Sequence, residues 1–269
     1  MIPTLDEAKR IVGAVASALD SPSFVDRPAV GARNASPADS SGEGGVPAGR
    51  GESDIEVVVV DGGSDDETVA LAQQAGARVL RLSDFPAASS SLAGAEATGQ
   101  GVVAGRAHQL RLGSEKTEGE VILFLHADTR LPAGWSREVE RILADPGIAG
   151  GAFTFRFLER GGWERWIEWW VARRVSVFRL PYGDQALFVR RSVLTEMGGV
   201  AIVPMMEDLD LVRGIKRAGR LAISRLPATT SSRRYRSRGT LRTIFWHQVA
   251  LLGWYLNVDR ARLAARMGR

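Results

Sequence analysis

The chain reads as an α/β protein: a mostly parallel sheet flanked by helices, with a helical segment at its C-terminus. Three observations carry that reading. Residues 55–60 are dominated by Val57, Val58, Val59 and Val60, the pattern of a central strand buried on both faces. Strand-like and helix-like segments then alternate along the chain, as parallel sheets with crossover helices require. Two of the apolar strands run straight into acids, Val60 into Asp61 and Leu125 into His126-Ala127-Asp128. In an open α/β sheet, side chains just past the strand ends line the ligand crevice.

The elements follow in order. Asp61-Gly62-Gly63-Ser64 is a turn, and Asp65, Asp66 and Glu67 place negative charge on the first turn of the next helix. That helix ends near Gly76, and residues 78–82 read as the next strand. Residues 121–125 form another buried strand, and Pro132 opens a helix through Leu143. Phe153, Phe155 and Phe157 alternate, so 152–157 is a strand with one buried face. A short strand over 186–189, a helix over 208–218 ending at Gly219 and a final strand over 221–226 complete the alternation. Residues 21–54 and 86–105 are rich in Ser, Gly, Pro and Ala without periodicity. Such segments bury too little apolar area to offset their ordering entropy, and they read as disordered insertions within one domain spanning 1–239. Residues 240–269 read as a helical extension, basic and aromatic.

Composition narrows the chemistry. Of the 269 residues, 45% are hydrophobic and 25% charged, so a core is expected. The absence of cysteine excludes disulfides, thiolate metal sites and a cysteine nucleophile. The acidic start MIPTLDEAKR is not a signal peptide, and no uncharged apolar stretch reaches the ~18 residues of a membrane span. The net charge of +4 conceals an asymmetry. Residues 225–269 carry ten arginines against one acid, Asp259, so this block is +9 and the remainder −5. Arginines interleaved with Phe245, Trp246, Trp254 and Tyr255 suit phosphates, on a ligand or on an anionic membrane. No motif supports nucleic acid. The expected location is the cytoplasm, peripheral on the inner face of the cell membrane.

The acids admit two readings. Asp61 is either a helix cap or a ligand-facing carboxylate. Asp128 precedes the Pro132 helix by too much to cap it. With His126 two residues before it, it offers oxygen and nitrogen donors to one ion. Mg²⁺ or Mn²⁺, which take one or two carboxylates plus substrate phosphates, suit so sparse a site. Met206-Glu207-Asp208-Leu209-Asp210-Leu211 opens a helix, where acids favour the macrodipole. Leu209, Val212 and Ile215 share one face, which leaves Asp208 toward the crevice.

Taken in order, IPTLDEA, VVVVDGGSDDET, FLHADT, PYGDQ and MEDLDL closely resemble the inverting family 2 glycosyltransferases of GT-A fold, with their Rossmann-like sheet. The closest resemblance is to a bacterial subgroup with an HAD triplet in place of D-x-D. The resemblance implies transfer of a sugar from a nucleotide sugar, a UDP-sugar foremost, to an acceptor hydroxyl or acid. It implies Asp61 at the base, with Pro3, Thr4 and Glu7 near base and ribose. Arg106 of GRAHQ would approach the diphosphate, and Asp128 would hold the cation. Gly183, Asp184 and Gln185 would lie at the sugar and acceptor side. Asp208, next to Glu207, would be the base that deprotonates the acceptor.

Three departures stand out. Met1 directly precedes the IPT motif, where the family's first strand extends further back, so the start is placed late or the strand is truncated. Asp6 and Arg111 stand where asparagines are usual. Trp163, Trp166 and Trp170 share a helical face, either core or an acceptor or membrane surface. Arg233, Arg234 and Arg238 follow a Thr/Ser run and either close over the diphosphate or lie on a solvated loop, and a lipid-linked or carotenoid-like acceptor fits the aromatics. His247 reads as a helix-packing residue. The rivals are a nucleotidyltransferase, for which LDEAKR lacks the glycine-rich signature, and an inactive membrane-associated nucleotide-sugar-binding protein.

Overall fold

The computed structural model describes residues 1–19, 55–85, 105–159 and 161–267. The segments expected to be disordered insertions lie outside the described residues, apart from Gly105, which precedes a helix. The side chain of Arg234 lies outside them too.

The N-terminal half is parallel. Strand β1 (Ile2–Thr4) leads to helix α1 (Ala8–Leu19), β2 (Val58–Asp61), α2 (Thr68–Gln74) and β3 (Arg78–Arg81). β1 and β3 both pair with β2, Thr4 and Arg81 standing in register with Asp61. Next come α3 (Arg106–Lys116), β4 (Val121–Phe124), the two-residue β5 (Thr129–Arg130), α4 (Trp135–Leu143) and β6 (Ile148–Phe157). Helix α5 (Gly162–Phe178), β7 (Leu187–Arg190), α6 (Arg191–Glu196), α7 (Glu207–Ala218) and β8 (Arg220–Thr230) follow. The chain closes with α8 (Arg233–Arg238), α9 (Thr240–Tyr255) and α10 (Arg260–Arg266). The second half is a mixed sheet of order β4-β7-β6-β8-β5, in which only β6 and β8 run parallel. Met1 joins the halves: its amine donates to the Leu123 carbonyl at 2.8 Å and its carbonyl accepts from Leu125 N–H at 3.0 Å. The strands therefore succeed one another as β3-β2-β1-β4-β7-β6-β8-β5.

Strand periodicity distributes the valines to two cores. Val57 and Val59 enter one with Ile2, Ile11, Val15, Phe153 and Val139, under α1 and α4. Val58 and Val60 enter the other with Leu110, Phe124, Leu209 and Ile215, under α3 and α7. Helices on both faces explain why β2 has no polar alternation.

Some boundaries differ from the sequence expectation, for local reasons. Helix α4 begins at Trp135, not Pro132, because Gly134 adopts φ 71°, and Trp135 N–H bonds back to the Pro132 carbonyl at 3.2 Å. β8 runs past Pro227 to Thr230, because a register shift against β6 between Ala152 and Thr154 absorbs a residue without a ladder donor. The C-terminal extension is docked on the main domain. Asp210 accepts Trp254 Nε1–H at 3.0 Å and Arg260 Nη2–H at 3.1 Å, and Arg213 lies 3.8 Å over the Trp254 ring. Trp254 is buried in the core, whereas Phe245 and Tyr255 are exposed. His247 rests edge-on against Tyr235. Among the described residues no helix is long and apolar enough to cross a membrane.

Candidate functional site

Two loops close the β1 and β2 strand ends. Asp61 is buried, and its carboxylate accepts Gly63 N–H at 3.0 Å, Ser64 N–H at 3.0 Å and the Ser64 hydroxyl at 2.5 Å. It thus shapes the DGGS turn. Ser64 in turn receives Asp6 N–H at 3.0 Å, and Asp6 Oδ1 accepts Asp65 N–H at 3.0 Å. Asp6 has φ 51°, a left-handed conformation that aspartate and asparagine both tolerate, which accounts for the exchange of one for the other here. Pro3 and Thr4 lie in register with Val60 and Asp61. The Thr4 hydroxyl is buried without a hydrogen-bond partner among the described residues. Glu7 pairs with Arg10 at 3.0 Å and with Arg233 at 3.1 Å, so the first turn of α8 reaches the β1 loop.

A residue that the sequence did not single out ties these ends together. Gln109 is buried on α3, and its Nε2 donates to the Thr4 carbonyl at 2.7 Å and to the Val60 carbonyl at 2.9 Å. A Cβ on Gly62 would stand 2.8 Å from that amide, which explains a glycine there. The available signal was an amide one turn after Arg106.

One turn earlier on α3, Arg106 reaches both remaining loops. Its Nη2 touches His126 Nε2, and its Nε lies 3.3 Å from the buried Glu207 at the start of α7. The contact leaves the other ring nitrogen, Nδ1, on the side of Asp128. Nδ1 lies 4.0 Å from Asp128 Oδ1. The end of β8 supports Asp128 from behind, with Ser231 N–H donating to its carbonyl at 3.1 Å.

The Gly183-Asp184-Gln185 turn brings the acid of α7 to the same point. Gly183 N–H donates to Asp208 Oδ2 at 2.8 Å, and Leu209 N–H donates to Oδ1 at 2.9 Å. A Cβ at Gly183 would lie 2.7 Å from Arg106 Nη2, 2.7 Å from His126 Nε2 and 3.3 Å from Asp208 Oδ2. Four sequence-distant residues therefore share one small volume. Gln185 is buried and structural in its contacts, donating to the Phe153 carbonyl at 2.9 Å and accepting Tyr182 N–H at 3.2 Å. Burial raises the Tyr182 phenol above its ordinary range; Arg174, 3.4 Å over its ring, opposes this, and Asp208 and Asp184 reinforce it.

Among the described residues no three His, Asp or Glu side chains gather as a metal cluster. The donor set still suits a cation completed by substrate phosphates. Asp128 is the oxygen donor there, with the His126 ring beside it.

The sheet is covered by helices on both faces, and an acidic and basic crevice opens at its strand ends. A model of glycosyl transferase family 2 matches residues 1–203, and the chain belongs to that family. The fold is similar to glucosyl-3-phosphoglycerate synthase from Mycobacterium tuberculosis, solved with Mn²⁺, uridine diphosphate and glucosyl-3-phosphoglycerate. That match has TM-score 0.54 and 17% identity, over 96% of this chain and 78% of that one. It is similar too to S. aureus TarS, with TM-score 0.53 and 13% identity over 86% of this chain. The chain spans 36% of the length of TarS and 63% of that of a mycobacterial protein matched at 21% identity.

Proposed function

We propose that the chain is an inverting glycosyltransferase that moves a sugar from a UDP-sugar to an acceptor hydroxyl or acid. The observation that carries this reading is the convergence of Arg106, His126, Gly183 and Asp208 at the strand ends. Uridine and ribose would occupy the β1 and β2 ends, beside Asp61, Pro3, Thr4 and Glu7, where the unpartnered Thr4 hydroxyl offers a hydrogen bond. The uridine diphosphate and Mn²⁺ in the mycobacterial synthase of the same fold support this choice of donor. Mn²⁺ or Mg²⁺ would be held by Asp128, with His126 beside it, and would neutralise the diphosphate as it leaves. Arg106 would turn from His126 to the diphosphate, and Arg233 would cover it from α8.

In the reaction the acceptor oxygen bonds to the anomeric carbon while the carbon–oxygen bond to the diphosphate breaks, its electron pair staying with the diphosphate. Asp208, whose two oxygens are fixed by Gly183 and Leu209, takes the acceptor proton. A single base opposite the leaving group inverts the anomeric centre. Asp184, Gln185 and Glu207 would shape the sugar and acceptor side. The acceptor is lipid-linked or carotenoid-like, with the protein peripheral on the inner face of the cell membrane. The HAD triplet would be the subgroup's substitute for D-x-D. The test is release of UDP from UDP-sugars by purified protein with Mn²⁺, water serving as acceptor. Release well above that of Asp208→Asn supports the reading; none from any UDP-sugar, with the fold intact, refutes it.

A further inference from the structure

Helix α5 has two apolar faces, and only one is covered. Ile167, Val171 and Val175, spaced four apart, face inward; Ile167 and Val175 are buried, and Val171 packs beside Trp163 against the Phe155–Phe157 cluster. Trp166, Trp170 and Val177 follow the opposite stripe, with Trp169 and Phe178 beside it. The three tryptophans are 51, 55 and 52% exposed in chain order, and they stack edge-to-face on one another. Large side chains gain nothing from a helix surface left in water, so such a patch marks a docking face.

The charge around the patch indicates what covers it. Both acids of α5 are turned inward: Glu164 is buried and paired with Arg236 at 2.9 Å, and Glu168 accepts Phe157 N–H at 2.8 Å. The charges left outward are Arg165 and Arg173, both exposed, with Arg173 6.0 Å from the Trp169 ring. Tryptophans among arginines, with no exposed acid on α5 itself, complement an anionic lipid surface, where indoles sit at headgroup level and cations meet phosphates. The covered side of the same helix bounds a cavity of about 410 Å³ that Phe155, Val171, Val175, Ile223 and Arg179 line. Gln185 lines it too, two residues from the glycine that holds Asp208.

We propose that the Trp166–Trp169–Trp170 face of α5 docks the protein on anionic membrane. It does so in place of the arginine-rich C-terminal block, whose Trp254 is buried and whose Arg260 is bound to Asp210. The proposal rests on the glycosyltransferase reading only for its purpose. The experiment is co-sedimentation with phosphatidylglycerol-containing vesicles and with phosphatidylcholine vesicles, for the full chain and for two surface variants. One variant carries Trp166→Ala, Trp169→Ala and Trp170→Ala; the other carries Arg242→Ala and Arg262→Ala. The expected result is binding to the anionic vesicles alone, weakened by salt but not abolished. The tryptophan variant should bind at least about tenfold more weakly, the arginine variant within about twofold. Failure of the full chain to sediment, or equal binding by the tryptophan variant, overturns the proposal. So does a dimer in solution that the tryptophan variant converts to monomer, since the occupant would then be a second copy. UDP binding by calorimetry on the same samples keeps the two readings apart, because loss of donor binding leaves the vesicle result unaffected.

Discussion

Gly183 carries the tightest constraint in the candidate site, because three of its side chains, Arg106, His126 and Asp208, stand where a Cβ would be. Those neighbours are the flexible ends of Arg106 and His126 and the carboxylate of Asp208, so they yield to a methyl group without unfolding the domain. Gly183→Ala should therefore leave the melting temperature nearly unchanged while lowering turnover by at least about tenfold, as displaced catalytic groups predict. A full-rate variant would show that the convergence is unimportant. Asp208→Asn should keep UDP affinity within about twofold and reduce turnover by at least about 100-fold, as loss of a general base predicts. Lost donor affinity with normal turnover at saturation would make Asp208 a binding residue instead. Asp128 was legible as a candidate because it lies past a strand end yet too far before the next helix to cap it, and Asp208 because the apolar face of its helix leaves it toward the crevice. The turn-shaping bonds of Asp61 fit the cap reading equally well, so type and position alone did not separate its two roles.

At the scale of elements, helix α3 positions the site. Its Gln109 satisfies two carbonyls at the ends of β1 and β2, and its Arg106 extends to the β4 and α7 loops. Gln109→Leu should remove a buried hydrogen bond from each carbonyl, the Thr4 carbonyl keeping Gly62 N–H, and cost about 1–3 kcal/mol, measured by denaturant unfolding. No loss of stability would mean that water replaces the amide without penalty. The strands and their faces were legible because hydrophobic period and strand-end chemistry are local. Gln109 was missed because its partners lie 105 and 49 residues away, and an amide on a helix carries no signal of distant carbonyls. The same limit applies to α5. Helical spacing placed Trp163, Trp166 and Trp170 near one face, yet only Trp163 is packed inward, since the neighbours that cover a face come from elsewhere in the chain.

At the scale of the whole molecule, Met1 links the parallel and mixed halves of the sheet by backbone pairing among the described residues. Burial lowers the Met1 amine from 8.0 to about 5, although Glu56 opposes the shift. Burial likewise lowers His108, on α3. In both cases the unfolded chain binds the proton more readily than the folded one. Their stabilising effect is thus complete above pH 8 for the amine, and above the usual histidine range for His108. It is lost as pH falls toward 5, by up to about 4 kcal/mol for the amine. Urea unfolding of the 269-residue chain from pH 8 to pH 5 should show that fall; a flat profile would place the amine in water. Strand order and this junction were not legible, because pairing partners are set by the whole fold. The central claim is that the strand-end crevice is a UDP site completed by a cation on Asp128. Titration calorimetry with UDP tests it most directly, in Mn²⁺ and in EDTA, on the full chain and on Asp128→Ala. The account predicts binding that is at least about tenfold tighter with Mn²⁺, a gain that Asp128→Ala abolishes. Equal affinity in Mn²⁺ and EDTA, or a gain that persists in Asp128→Ala, would contradict it.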